Sequence, residues 1–105
     1  MKIDGFKLAS RGMGISVRTV DEYLHYLEGK GFHFQEDAIG FIYFGKHYTN
    51  ASDEVINTAI EITLKAQKQF DGSFYVSLLE TLVSSHIRTR NGALKFVKER
   101  ELLAI

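Results

Sequence analysis

Ser16, Arg18 and Thr19 stand at the start of an amphipathic stretch, where side chains of these types suit contact with an anion or a base edge. An arginine there can donate two parallel hydrogen bonds to the O6 and N7 atoms of guanine. Serine and threonine hydroxyls can donate to a phosphate, and the positive end of a helix dipole favours the same anion. Along this stretch Val20, Tyr23, Leu24 and Leu27 recur at i, i+3, i+4 and i+7, which is one face of a helix. The opposite face then carries Val17, Arg18, Asp21, Glu22 and His25. A carboxylate such as Glu22 can accept from the amino group of cytosine, but Asp21 and Glu22 otherwise repel a phosphate wall. Lys7, Arg11, Lys30 and Lys46 flank the stretch and are candidates for gripping phosphates.

The elements needed to position these groups follow from pattern and punctuation. A short first helix is expected over residues 6–13, ending at Gly12 and Gly14. Ser16 is the expected N-cap of the second helix, residues 17–28, which Gly29-Lys30-Gly31 stops. Two aromatic runs, residues 32–35 and 41–44, are separated by Glu36-Asp37-Ala38-Ile39-Gly40 and read as a β-hairpin. Helix resumes to about residue 70, capped by Thr49, Asn50 or Ser52, with Val55, Ile56, Ala59, Ile60, Ile62 and Ala66 inward. Asp71-Gly72-Ser73 breaks it. Tyr75, Leu78, Leu79, Leu82 and Val83 mark another helix to about residue 87, and residues 93–103 read as a short basic helix.

The expected fold is therefore mainly α with a small β-hairpin: a winged helix-turn-helix followed by two or three helices. All 105 residues read as one domain, with residues 1–48 the helix-turn-helix and wing, and 49–105 the helical part and candidate dimerisation region. No cysteine is present, which excludes disulfides and thiolate metal sites. His25, His33, His47 and His86 lack ligand spacing, and neither a nucleophile elbow nor a phosphate-cradling glycine loop occurs. No catalytic residue, metal or cofactor is expected. The opening residues hold no apolar run of signal-peptide length, and no stretch of about 18 apolar residues occurs, so the expected location is the cytoplasm, away from membranes. Thirteen basic and thirteen acidic side chains cancel, whereas many nucleic-acid-binding domains carry a positive excess. The densest basic group is Arg88, Arg90, Lys95, Lys98 and Arg100, and the apolar end Leu102-Leu103-Ala104-Ile105 is a candidate dimer contact.

The run Leu8-Ala9 followed by Gly14-Ile15-Ser16-Val17-Arg18-Thr19-Val20 resembles the DNA-binding module of the MerR family, and Glu28-Gly29-Lys30-Gly31-Phe32 resembles that family's exit from its second helix. The stretch from Gly45 to Thr49, then residues 52–62 and Asp71-Gly72-Ser73, resembles its passage from wing into the third and fourth helices. The resemblance covers residues 4–85. It implies a small dimeric transcriptional regulator that reads double-stranded DNA with the helix at residues 17–28. The departures are Asp21, where the family carries arginine, the absence of the cysteines found in metal-sensing members, and the missing long dimerisation helix, unless the C-terminal segment takes over that job. The alternative reading is a protein-interaction module on the same scaffold, with Asp21, Glu22, Glu36 and Asp37 meeting a basic partner.

Overall fold

In the computed structural model the described residues are 18–100. The expected first helix lies outside them, with Lys7 and Arg11, as do Ser16, Val17 and the apolar end. Five helices follow in order: α1 (Val20–Gly29), α2 (Glu36–Thr49), α3 (Asp53–Gln67), α4 (Gly72–Ser84) and α5 (Arg90–Glu99).

Helix α3 is the axis of the domain. Every residue from Val55 to Ile60 is buried, as are Ile62 and Thr63, so the helix is enclosed around its circumference. It packs against α1, α2, α4 and α5, and α4 also packs against α2. Buried side chains from all five helices, among them Leu24, Ile42, Ile60, Leu79 and Val97, merge into one core. Each aliphatic side chain so buried contributes about 1.5–3 kcal/mol. The hydroxyls of Thr58 and Thr63 would be costly in this interior if unpaired. They donate to the carbonyls of Glu54 and Ala59, one turn earlier, at 2.8 and 2.7 Å.

The first turn of α3 also finishes two other helices. Asp53 Oδ2 accepts from the Val20 N–H at 3.2 Å, and Glu54 Oε2 accepts from the Arg90 N–H at 2.7 Å. These donors head α1 and α5, where a backbone N–H has no partner within its own helix. Negative charge at that place also opposes the positive end of each helix dipole. Asp53 additionally pairs with Lys46 of α2 at 2.9 Å. Two adjacent carboxylates thus tie three helices to the central one.

The structure corrects the expected β-hairpin and wing. No strand occurs among the described residues; residues 32–35 lack regular structure, and the supposed loop and second strand form α2. The aromatic runs carried the strand reading, but the helix is favoured at both ends. Glu36 and Asp37 occupy its first turn, Lys46 and His47 its last, and Asn50 closes it in the left-handed conformation at φ 57°. Ile42 and Gly45 are buried at helical spacing against α4. There the Tyr75 hydroxyl, fully buried, donates to the Ile42 carbonyl at 2.8 Å, and burial pushes that phenol well above its usual pKa.

Gly45 sets how closely α2 approaches α4. A Cβ at this position would lie 2.8 Å from Leu79 Cδ2 and 2.9 Å from Tyr75 Cε2, both in the packed core. Gly→Ala in a helix ordinarily gains about 1 kcal/mol, but the overlap here outweighs that gain. Gly45→Ala is expected to lower unfolding free energy by about 1–2 kcal/mol, read as a lower urea midpoint at unchanged m-value. An unchanged or higher midpoint would show that the two helices separate without cost.

Candidate functional site

The described residues among those expected to read a groove take different places in the fold. Thr19, rather than Ser16, caps the helix: its Oγ1 accepts from the Glu22 N–H at 3.1 Å, while Glu22 Oε1 accepts from the Thr19 N–H at 2.9 Å. This reciprocal capping box occupies both side chains. Arg18 precedes the helix, with its guanidinium 4.2 Å from the centre of the Tyr26 ring. The Lys30 ammonium lies 5.5 Å from the same ring, so these two cations do share a place. Lys46 faces α3 and is paired with Asp53. His25 is exposed on an α1 surface that also carries Asp21, Glu22 and Glu28. Asp21 accepts a hydrogen bond from the Tyr43 hydroxyl of α2.

Behind Tyr26 lies a polar cleft of about 330 Å³, lined by Arg18, Tyr23, Asn57, Glu61 and Arg90 among others. Its centre is a fork. Arg90 Nε and Nη2 donate to the two Glu61 oxygens at 3.0 and 2.7 Å, and Lys65 approaches Glu61 at 3.4 Å. Burial pushes the Glu61 carboxyl up, but the hydrogen bonds and charge of Arg90, helped by Lys65, outweigh that and hold it below the usual range. The same bonds raise the Arg90 guanidinium. Burial and the nearby Glu61 charge push the Tyr23 phenol up to about 12.

At neutral pH the cleft therefore holds an ionised, twice-paired carboxylate and a protonated phenol. Neither has the poise of a general acid or base, which needs a pKa near the working pH. Asn57 is buried, and its Nδ2 donates to the Arg18 carbonyl at 2.9 Å, while its Oδ1 has no partner among the described residues. This bond fixes the entry of α1 onto α3. No group of three His, Cys, Asp or Glu side chains placed to hold a metal ion occurs among the described residues.

The other distinctive surface is the outer face of α2. Phe41, Phe44 and Tyr48 follow i, i+3 and i+7 along it, and they are 43%, 54% and 63% exposed. Phe44 and Tyr48 stack at 5.4 Å with their planes 9° apart. The Phe41 ring packs against Gly72, where a Cβ would lie 2.5 Å from it. Asp37, Gly40 and His47 complete the exposed stripe. In sequence, Phe41 and Phe44 read as part of a strand. The available signal was a stretch without proline that runs from Glu36-Asp37 to Lys46-His47, with acids at its start and bases at its end.

Part of the basic group expected near the chain's end is neutralised, since Arg90 belongs to Glu61. Arg90→Met removes the fork but keeps the main-chain bond to Glu54. With Arg90 partly exposed, solvent screening limits the expected loss at pH 7 to about 1–2 kcal/mol. Glu61 is depressed in the folded state, so its stabilisation is complete above the ordinary carboxylate range near 4.5 and is lost as pH falls through its lower folded value. The gap between Arg90→Met and wild type in urea unfolding should accordingly narrow between pH 7 and pH 3. A gap of constant size would mean that the side chain acts through packing alone.

No helix among the described residues is long and apolar enough to cross a membrane. No curated protein and no solved structure matches the chain. One family model, described as a family of unknown function (DUF6123), matches residues 15–103 and so spans α1 to α5. The chain belongs to the DUF6123 family.

Proposed function

We propose that the domain is a non-catalytic protein-interaction module whose contact surface is the outer face of α2. The observation that carries this reading is the half-exposed aromatic stripe Phe41, Phe44 and Tyr48 on a helix whose other face packs into the core through Ile42 and Gly45. Aromatic side chains dominate the energetics of protein contacts, because they bury a large rigid surface at small cost in side-chain entropy. Contiguous exposed apolar surface rimmed by charge is the usual mark of such a contact. Here Asp37 and His47 form the rim, and the stacking of Phe44 on Tyr48 and the seat of Phe41 on Gly72 hold the rings in place.

Charge supports protein over duplex DNA as the partner. The exposed side of α1, the helix expected to enter a groove, carries Asp21, Glu22 and Glu28 against a single His25. The loop and second strand of the expected wing are part of the aromatic helix α2. Arg18 and Lys30 flank Tyr26 as a pair too small to track a phosphate backbone, where each contact adds to a charge-driven sum.

A photo-crosslinking side chain placed at position 44 or 48 should form protein adducts several-fold more often than one at the exposed positions 68 or 80. Fluorescence anisotropy with random duplexes at low salt should show no binding tighter than about 1 µM. Equal yields at the four positions would overturn the reading. So would a duplex bound more tightly than that and released by Arg18→Ala with Lys30→Ala.

A further inference from the structure

We infer that the aromatic face of α2 pairs with the same face of a second copy, the two helices running antiparallel across a two-fold axis near Ile42. This rests on the reading of α2 as the contact surface and names its occupant. Every exposed position of the helix beyond its first residue belongs to one stripe: Asp37, Gly40, Phe41, Phe44, His47 and Tyr48. That is the i, i+3, i+4, i+7 spacing of a helix-pairing seam.

The stripe is complementary to itself only when reversed. In an antiparallel pair centred near Ile42, Asp37 of one copy falls opposite His47 and Tyr48 of the other. Both can donate to its carboxylate, and the contact occurs twice. Gly40 falls opposite Phe44, and a Cβ at Gly40 would meet nothing within 4 Å, so the gap it leaves can take a ring. Phe41 meets Phe44 at the centre. A parallel pair would instead set Asp37 against Asp37 and His47 against His47, opposing like groups and aligning the two helix dipoles. Because the seam is isologous, it closes on two copies and does not propagate.

The size of the patch sets the strength. Three rings about half exposed offer on the order of 300 Å² of aromatic surface per copy, well below the roughly 800 Å² per partner of a standard stable interface. The dimer should therefore be weak and exchange readily, with a dissociation constant on the order of tens of micromolar.

Sedimentation of the full chain from about 5 to 500 µM tests this directly, across the range expected for a weak interface. The weight-average mass should rise from the monomer toward twice that value, and Phe44→Asp should raise the dissociation constant at least about tenfold. Its circular dichroism and urea midpoint should match wild type, since this ring lies outside the core. His47→Glu should also weaken the pair, by setting a carboxylate against Asp37, and adding Asp37→Lys to it should restore association. A mass that stays monomeric throughout overturns the pairing. If position 44 then cross-links to another protein, α2 remains the contact surface with a different occupant; a cross-link to residues 1–17 of the same chain assigns the face to that segment. Association that persists in Phe44→Asp places the self-contact off α2 and overturns the pairing; if position 44 then gives no more protein adducts than position 80, the reading of α2 as the contact surface falls as well. Failure of Asp37→Lys to rescue His47→Glu overturns the antiparallel register.

Discussion

A helix enclosed on all sides is the constraint from which the rest of this domain follows. Once Val55 to Ile60 are buried without interruption, α3 needs neighbours around its whole circumference, and four helices supply them. Over that stretch the helix has no solvent face on which to put polar groups. Its threonines turn back onto the carbonyls of Glu54 and Ala59 one turn earlier, and its asparagine reaches the backbone ahead of α1. Its acids gather at the first turn and at Glu61, positions from which they reach the surface or a neighbour. The carboxylates that the buried helix must carry outward become the clasps that hold α1, α2 and α5.

The same constraint separates the two surfaces considered for function. The cleft near Tyr26 is lined by residues already engaged: Arg90 with Glu61, Arg18 with the Tyr26 ring, Asn57 with the α1 entry. Its polar character follows from joining α1 and α5 to α3. On α2 the balance is reversed. Its inner face meets α3 and α4 through Ile42 and Gly45; on its outer face Phe41 rests on Gly72 of α4, whereas Phe44 and Tyr48 stack on each other and stay more than half exposed.

Where one face of an element was apolar, the sequence could be read. The inward positions expected on α1, α3 and α4 are buried or partly buried, and Ser52 caps α3 as one of the candidates named. Boundaries moved where a cap was mistaken for a break. Asp71 and Thr89 cap α4 and α5, so Gly72 and Gly92 lie inside first turns instead of between helices. The α1 cap shifted from Ser16 to Thr19, although only Thr19 has a glutamate three residues on. Helix α2 was illegible because both its faces are apolar, which erases the periodic contrast that separates helix from strand. The Glu61–Arg90 fork joins residues 29 positions apart and leaves no local trace.

Supplying the first N–H partners of α1 and α5 from one turn of α3 also bears on how the chain acquires its structure. The acceptor for Val20 is 33 residues downstream, and that for Arg90 is 36 residues upstream. As the chain leaves the ribosome, α1 cannot complete its start until Asp53 has followed it out, whereas α5 emerges onto an acceptor already made. Detached, α1 and α5 each keep a local cap but lack this one bond, which only docking onto α3 supplies. Loss of the α3 first turn would release both together, which binds the two ends of the domain into one cooperative unit.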